Sequence, residues 1–219
     1  VYSKNSFNKF DIIFSPNNTI SNQLNVLVSK KTKILTTGYP LFLTQYKENK
    51  QDRPNKNVLI APSWGKENFL TNKNFMNKLI SFLNTEKANV YVRPHPMANN
   101  LIKSSLFKIE DSVNPNFTFF DYLFTDWSGI ALEFHFIKRQ NVFFVDSPKK
   151  IKRRITKKER QYDFIENRIR TEIGEIITYD QNLKEVVDLK NVKIKKSKYV
   201  EGLYSPKFKL EKFYDYINA

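Results

Sequence analysis

DYLFTDWSGIALE, residues 121–133, is an apolar strand that ends in Thr-Asp-Trp-Ser-Gly and runs directly into a helical pattern. Such a junction leaves the first backbone N–H groups of the helix unpaired, and the helix dipole adds partial positive charge beside the Ser128 hydroxyl. Anionic ligands, above all phosphates, suit such a place. Outward from it, short runs rich in β-branched and aromatic residues recur with helical patterns between them, which predicts a parallel α/β sheet rather than a sandwich.

The strands expected on this pattern are Asp11 to Phe14, Lys33 to Leu35, Asn57 to Ala61, Asn89 to Val92, Asp121 to Thr125 and Asn141 to Val145. Helices are expected at Thr19 to Val28, Asn72 to Leu83, Ala98 to Phe107, Gly129 to Ile137 and Leu183 to Leu189. A last one covers Ser205 to Ile217, with Pro206 in its first turn and Leu210, Phe213 and Ile217 on one face. Between Leu43 and Asn57 the sequence turns polar and has almost nothing to bury, which reads as a linker. Phe117 to Phe120 and Asp121 to Thr125 both read as strands, yet adjacent parallel strands need a crossover of about a dozen residues. Either the nine residues from Phe117 to Thr125 form one long strand or a connecting segment is absent, and a segment missing between Ser112 and Asp121 is the favoured expectation.

With 219 residues, 40% of them apolar, the chain can bury one good core or a core plus part of a second. It has no cysteine, which excludes a disulfide scaffold and cysteine-based metal or nucleophile chemistry and fits a reducing, cytoplasmic setting. No run approaches the roughly 20 apolar residues that span a bilayer. The start, VYSKNSFNKF, has neither an initiating Met nor a signal-peptide stretch and reads as a truncated piece. The formal net charge is +15, which draws the chain to polyanions: nucleic acid, anionic lipid or a phosphorylated substrate.

Two further loops share the carboxyl edge of the expected sheet, where open α/β folds bind ligands. Arg93-Pro94-His95-Pro96 follows the strand Asn89 to Val92, and offers a planar guanidinium fork and an imidazole that can donate near neutral pH. The plainer reading is a rigid turn with a surface histidine. Ala61-Pro62-Ser63-Trp64-Gly65 ends the strand before it, where Ser63 and the following N–H groups either hold a phosphate or simply end a strand. Glu133 lies about one and a half turns into the helix after Ser128, within reach of ribose or polyol hydroxyls, or is a solvated carboxylate. His135, among Leu132, Phe134 and Phe136, reads as a packing or surface residue, and no ligand spacing for a dedicated metal site is present. Lys149 to Arg160, KKIKRRITKKER, places eight basic residues and one acid in twelve positions, and Lys193 to Lys198 extends the same field. The run is a solvated loop, a patch for an anionic membrane surface, or a clamp on a polyanionic acceptor. Nucleic acid is not favoured, since no recognition-helix, zinc-finger or RNP-like pattern is found.

In order, and each after a strand, APSWG, RPHP and TDWSG resemble the donor half of the CDP-glycerol glycerophosphotransferases, which build teichoic-acid-like and capsular polyol-phosphate polymers. The similarity runs from about Gly38-Tyr39-Pro40 to the C-terminus, and TDWSG followed by Glu133 is its most specific element. It implies a GT-B architecture in which residues 57–219 form the second, donor-binding domain, a Rossmann-like parallel sheet with flanking helices. Residues 38–56 would be the interdomain linker, and 1–37 a remnant of the first, acceptor domain. Carried over by position, His95 would contact the donor pyrophosphate and help neutralise the leaving group. Ser128 and Gly129 would bind donor phosphate, Asp126 would shape their turn, and Glu133 would face the ribose. Ser63, Trp64, Arg93 and Thr125 complete the implied donor site.

The acceptor hydroxyl would attack the β-phosphorus and expel CMP, with no cofactor, because the CDP-alcohol is itself the substrate. The acceptor would be lipid-linked or polymeric, and the protein would sit peripherally on the inner face of a bacterial cell membrane. The family's presumed base is a histidine in a His-Gly-Thr type segment of the first domain. This sequence has only His95 and His135, so the resemblance implies a donor-binding piece that does not turn over alone. Two alternatives stay open: another GT-B transferase that uses a nucleotide sugar, and a non-enzymatic basic module that docks on membranes or polyanions.

Overall fold

Three apolar runs, NVLI, YLFT and VFFV, are buried at every residue, as strands covered by helices on both faces must be. They lie side by side at the centre of a sheet in a computed structural model that describes residues 7–38, 54–65, 68–95, 105–112, 115–148, 165–190, 195 and 210–217. In chain order the elements are β1 (Ile12–Ser15), α1 (Asn18–Leu27), β2 (Lys33–Thr36), β3 (Asn57–Ile60), α2 (Lys73–Thr85), β4 (Asn89–Val92), β5 (Lys108–Ile109), β6 (Tyr122–Thr125), α3 (Ile130–Lys138), β7 (Val142–Val145), α4 (Ile165–Glu172), β8 (Gly174–Ile177), α5 (Leu183–Val186) and α6 (Leu210–Ile217).

The described residues divide into two compact units, one within Val1–Tyr46 and Lys196–Ala219, the other within Lys47–Lys195. In the first, β1 and β2 pair in parallel, and Asn17 caps α1 by accepting from the Ile20 N–H at 2.9 Å. α6 belongs to this unit, with the Lys33 ammonium 4.4 Å from the centroid of the Tyr216 ring.

The second unit is an all-parallel six-stranded sheet in the order β5-β4-β3-β6-β7-β8. Counted from β3, that is 3-2-1-4-5-6, the Rossmann-like order, whose direction reverses between its first and fourth strands. The switch point therefore falls between β3 and β6. α2 closes one face: Phe75, Met76, Leu79, Ile80, Phe82 and Leu83 are buried at helical spacing, and Asn72 caps it by accepting from the Phe75 N–H at 3.0 Å. The opposite edge of the sheet is stitched by Asn57, whose backbone N–H donates to Asp121 Oδ2 at 2.8 Å and whose side-chain oxygen accepts from Asn89 at 2.9 Å.

Phe117–Phe119 is a 3₁₀ turn, not a strand, capped by Asn116, whose side chain accepts from the Thr118 N–H at 3.1 Å. Its aromatic content, which reads as β, serves packing: Phe117 meets Phe134 at 6.1 Å between centroids, and Phe119 and Phe120 meet Tyr91 at 5.3 and 5.4 Å. With no strand at Phe117–Phe119, the two adjacent strands that called for a segment missing between Ser112 and Asp121 reduce to one. The helix expected at Ala98 to Phe107 falls mostly outside the described residues, and Ser105 to Phe107 are not helical. Lys149 to Arg160 also lies outside them, as do the side chains of Leu210, Phe213 and Ile217.

Candidate functional site

At the carboxyl edge of the sheet the loops after β4, β3, β6 and β7 stand in that spatial order, because each strand pairs with the next. The loops after β3 and β6 flank the switch point. They are cross-linked from below. Thr125 Oγ1 donates to the Ala61 carbonyl at 2.5 Å. Asp126 accepts through Oδ1 from the Ser63 N–H at 2.6 Å and through Oδ2 from the Ser147 hydroxyl at 3.0 Å, joining three loops with one carboxylate. Thr125 is 0% and Asp126 1% exposed, so both are shut off from solvent. Ser63, at 6%, contributes its N–H to this cross-link rather than to an open surface.

Above the cross-link the surface opens. Trp127 and Ser128 are half-buried and Gly129 is exposed. No side chain caps α3, and no hydrogen bond of the Ser128 hydroxyl is found among the described residues. Gly129 has φ −62°, and a Cβ built on it would meet nothing within 4 Å. Nothing in the fold itself therefore calls for glycine at this position. Glu133 is half-buried in the first turn of the same helix.

On the other side of β3, Arg93 donates its backbone N–H to the Ile60 carbonyl at 2.9 Å, while its guanidinium Nη1 donates to the Ser112 carbonyl. The guanidinium thus holds the segment after β5. His95 and Trp64 are half-buried on the loops beside it. His135 is 3% exposed, and its Nδ1–H donates to the Gln140 carbonyl at 2.6 Å, so it is a packing residue. Burial, opposed by that hydrogen bond and assisted by Arg139, holds its imidazole below the ordinary histidine value of 6.5. An unfolded chain then binds more protons than the folded one just below that pH, so this contribution to stability is complete above pH 6.5 and is lost as pH falls. In thermal denaturation, lowering the pH from 7.5 to 5.5 is expected to depress the wild-type midpoint more than that of His135→Gln; equal depression would remove His135 from the account.

Ser147, Arg170 and Tyr179 also meet this edge and were not picked out in the sequence. Ser147 stands in Asp146-Ser147-Pro148, a polar turn after a strand like the other three, so the rule that found them could have found it. Tyr179 follows β8 and packs edge-on against Phe75 at 5.1 Å; burial first, then Asp126 and Asp146, push its phenol above 10.0. Lys195, in the second basic cluster, is a structural residue whose ammonium donates to the Gly174 carbonyl at 2.7 Å and pairs with Glu175 at 2.9 Å.

An order-reversing crevice in a parallel sheet, lined by strand-end loops and an uncapped helix start, is the ligand geometry of an open α/β fold. The family model for CDP-glycerol:poly(glycerophosphate) glycerophosphotransferase matches residues 3–193, which include all four of these loops. The chain belongs to this family. As a member of the CDP-glycerol:poly(glycerophosphate) glycerophosphotransferases it is a transferase of glycerophosphotransferase type, in a family whose donor is CDP-linked and whose acceptor is a polymer. No curated protein is matched by the chain. No helix among the described residues is long and apolar enough to cross a membrane.

Proposed function

We propose that residues 57–148 carry the donor site, and that the chain takes part in moving a polyol phosphate, glycerol phosphate or a close relative, from a CDP-activated donor to a hydroxyl of a growing cell-surface polymer. The observation that carries the reading is the start of α3: an uncapped helix terminus, a hydroxyl with no partner among the described residues, and an exposed glycine that the fold does not require. Two phosphates of CDP would sit there, on the N–H groups of Gly129 and Ile130 and on Ser128, with His95 on the loop after β4, beyond the β3 loop, to meet the charge that develops on the leaving CMP. Glu133 would accept from the ribose. The acceptor oxygen attacks the β-phosphorus, the bond from that phosphorus to the bridging oxygen breaks, and CMP departs as a phosphodiester forms. The protein's work is positioning and charge stabilisation; no metal or cofactor is part of the proposal, and no general base is assigned within this chain.

The proposal includes peripheral attachment to an anionic membrane surface on the cytoplasmic side, supported by the net charge of +15 and by Lys149 to Arg160. Calorimetry with CDP tests the whole reading. Ser128→Ala and His95→Ala are each expected to weaken CDP by about tenfold, the scale of a hydrogen bond to a charged group. Gly129→Ala is expected to leave the melting temperature unchanged while weakening CDP, because its methyl group meets only the ligand. Neutralising Lys149 to Arg160 is expected to release the chain from anionic liposomes and spare CDP binding. If CDP bound no better than AMP or inorganic phosphate, the donor-site reading would fall.

A further inference from the structure

Arg170 is a guanidinium that the fold buries to 4% exposure. Among the described residues its one carboxylate partner, Asp146 at 3.0 Å, is 48% exposed, and its Nη2 also donates to the Val145 carbonyl at 3.3 Å. Its Nε has no hydrogen-bond partner among the described residues. A cation sunk this deeply, with a half-solvated partner and its buried Nε–H unused, is a weak source of stability, because desolvation is not fully offset. Its closest aromatic contact is with Trp127, in the turn proposed above as the seat of the donor phosphates. The guanidinium carbon stands 4.0 Å from the centroid of the Trp127 ring, with Phe144 at 5.8 Å behind it. Trp127 is held from a second direction, since its indole N–H donates to the Ser147 carbonyl at 2.8 Å. It is also the residue between the buried cross-link at Asp126 and the open hydroxyl at Ser128.

We propose that Arg170 is a positioning residue for the anion seat: stacked on Trp127, it fixes the turn that presents Ser128 and Gly129 and sets a permanent positive charge in a water-poor place beside them. The inference rests on the donor-site reading given above and names a second layer beneath it. Preorganised donors lose little freedom when the phosphates arrive, and a cation shielded from water acts on them more strongly than a surface lysine does. Lysine could keep the charge, but it lacks the flat face that stacks on an indole while bonding to a carbonyl.

The test is calorimetric titration of the 219-residue chain with CDP and with inorganic pyrophosphate, at a temperature where circular dichroism shows every variant folded. Arg170→Met is expected to weaken both ligands by about tenfold and by the same factor, the scale of a desolvated cation–π contact plus a nearby charge. Arg170→Lys is expected to recover part of the loss. Trp127→Phe weakens both ligands less, and combining it with Arg170→Met adds little beyond Arg170→Met, because the two act as one unit. Leu79→Ala, a core change in α2, lowers the melting temperature without altering either affinity. Should Arg170→Met fail to fold, Arg170→Lys and Trp127→Phe still decide the matter. CDP affinities within twofold of wild type, or losses in the double variant that multiply, would overturn the inference while leaving the donor site standing. A wild-type chain that does not bind CDP overturns the donor-site reading, and this inference with it.

Discussion

Replacing Gly174 by alanine is expected to cost about 3 kcal/mol of stability, the upper end of what overpacking a closed site costs. A Cβ at that position would stand 1.8 Å from the Val142 carbonyl oxygen and 2.8 Å from the Phe144 ring. The nearer atom is backbone, and it cannot swing away. Gly174 is in register with Val142 at the start of the β7–β8 ladder, the Val142 N–H is bound to the Ile173 carbonyl at 3.0 Å, and the Gly174 carbonyl accepts from Lys195. Relief requires β8 to peel from β7 at its first rung. The requirement is steric and not conformational, since positive φ among the described glycines is confined to Gly38 and Gly65. Thermal denaturation should show a midpoint lower by about 10 °C, with hydrogen exchange accelerated first in β8. A midpoint within about 2 °C of wild type would mean that β8 relaxes more freely than its ladder implies.

Nothing in GEII announces that contact, and the strand itself went unread. Central strands were legible because burial on both faces forces continuous apolar runs, as in VLI of β3 and VFFV of β7. β8 is an edge strand with Glu175 and Ile176 turned outward, so its four residues lack both an apolar run and a clean alternation. β5, two exposed residues long, has no sequence signal at all. α4 hides for a related reason: within a charged stretch, the residues it buries include an arginine. FTFF failed in the other direction, because aromatic residues favour strands and core plugs alike, and only the length of the crossover distinguishes them. The strain that seemed to call for a missing segment was the signal that one of the two strands did not exist.

The candidate site was legible to the extent that it is made of strand ends. APSWG, RPHP and TDWSG could be placed at one edge because each follows a short apolar run and parallel strands share a direction. What sequence could not supply was depth. Ser128 and Asp126 sit two residues apart in one turn, and yet the first opens to solvent while the second is 1% exposed. Arg170 was beyond reach for another reason: it joins the turn through space from α4, 43 residues beyond Trp127 in the chain.

Depth also decides what replacing Asp126 should do. Asp126→Ala is expected to cost about 3 kcal/mol, because it strands a buried N–H at Ser63 and a buried hydroxyl at Ser147. CDP binding should be lost with it, as the loops after β3, β6 and β7 part. Asp126→Asn separates this role from direct ligation. An amide at 126 keeps the shape, its oxygen still accepts from the Ser63 N–H, and its NH₂ can donate to the Ser147 oxygen, so most of the stability should return. Its effect on CDP runs against intuition. A carboxylate beside an anion seat opposes the phosphates electrostatically, and the compensating reason to keep it is that charged acceptors make bonds roughly twice as strong as neutral ones. Removing the charge while keeping the bonds should therefore leave CDP affinity equal to wild type or somewhat higher, with the melting temperature slightly lower. Were Asp126 itself a donor ligand, the asparagine variant would lose CDP at an unchanged melting temperature, and the cross-link reading would give way to that one.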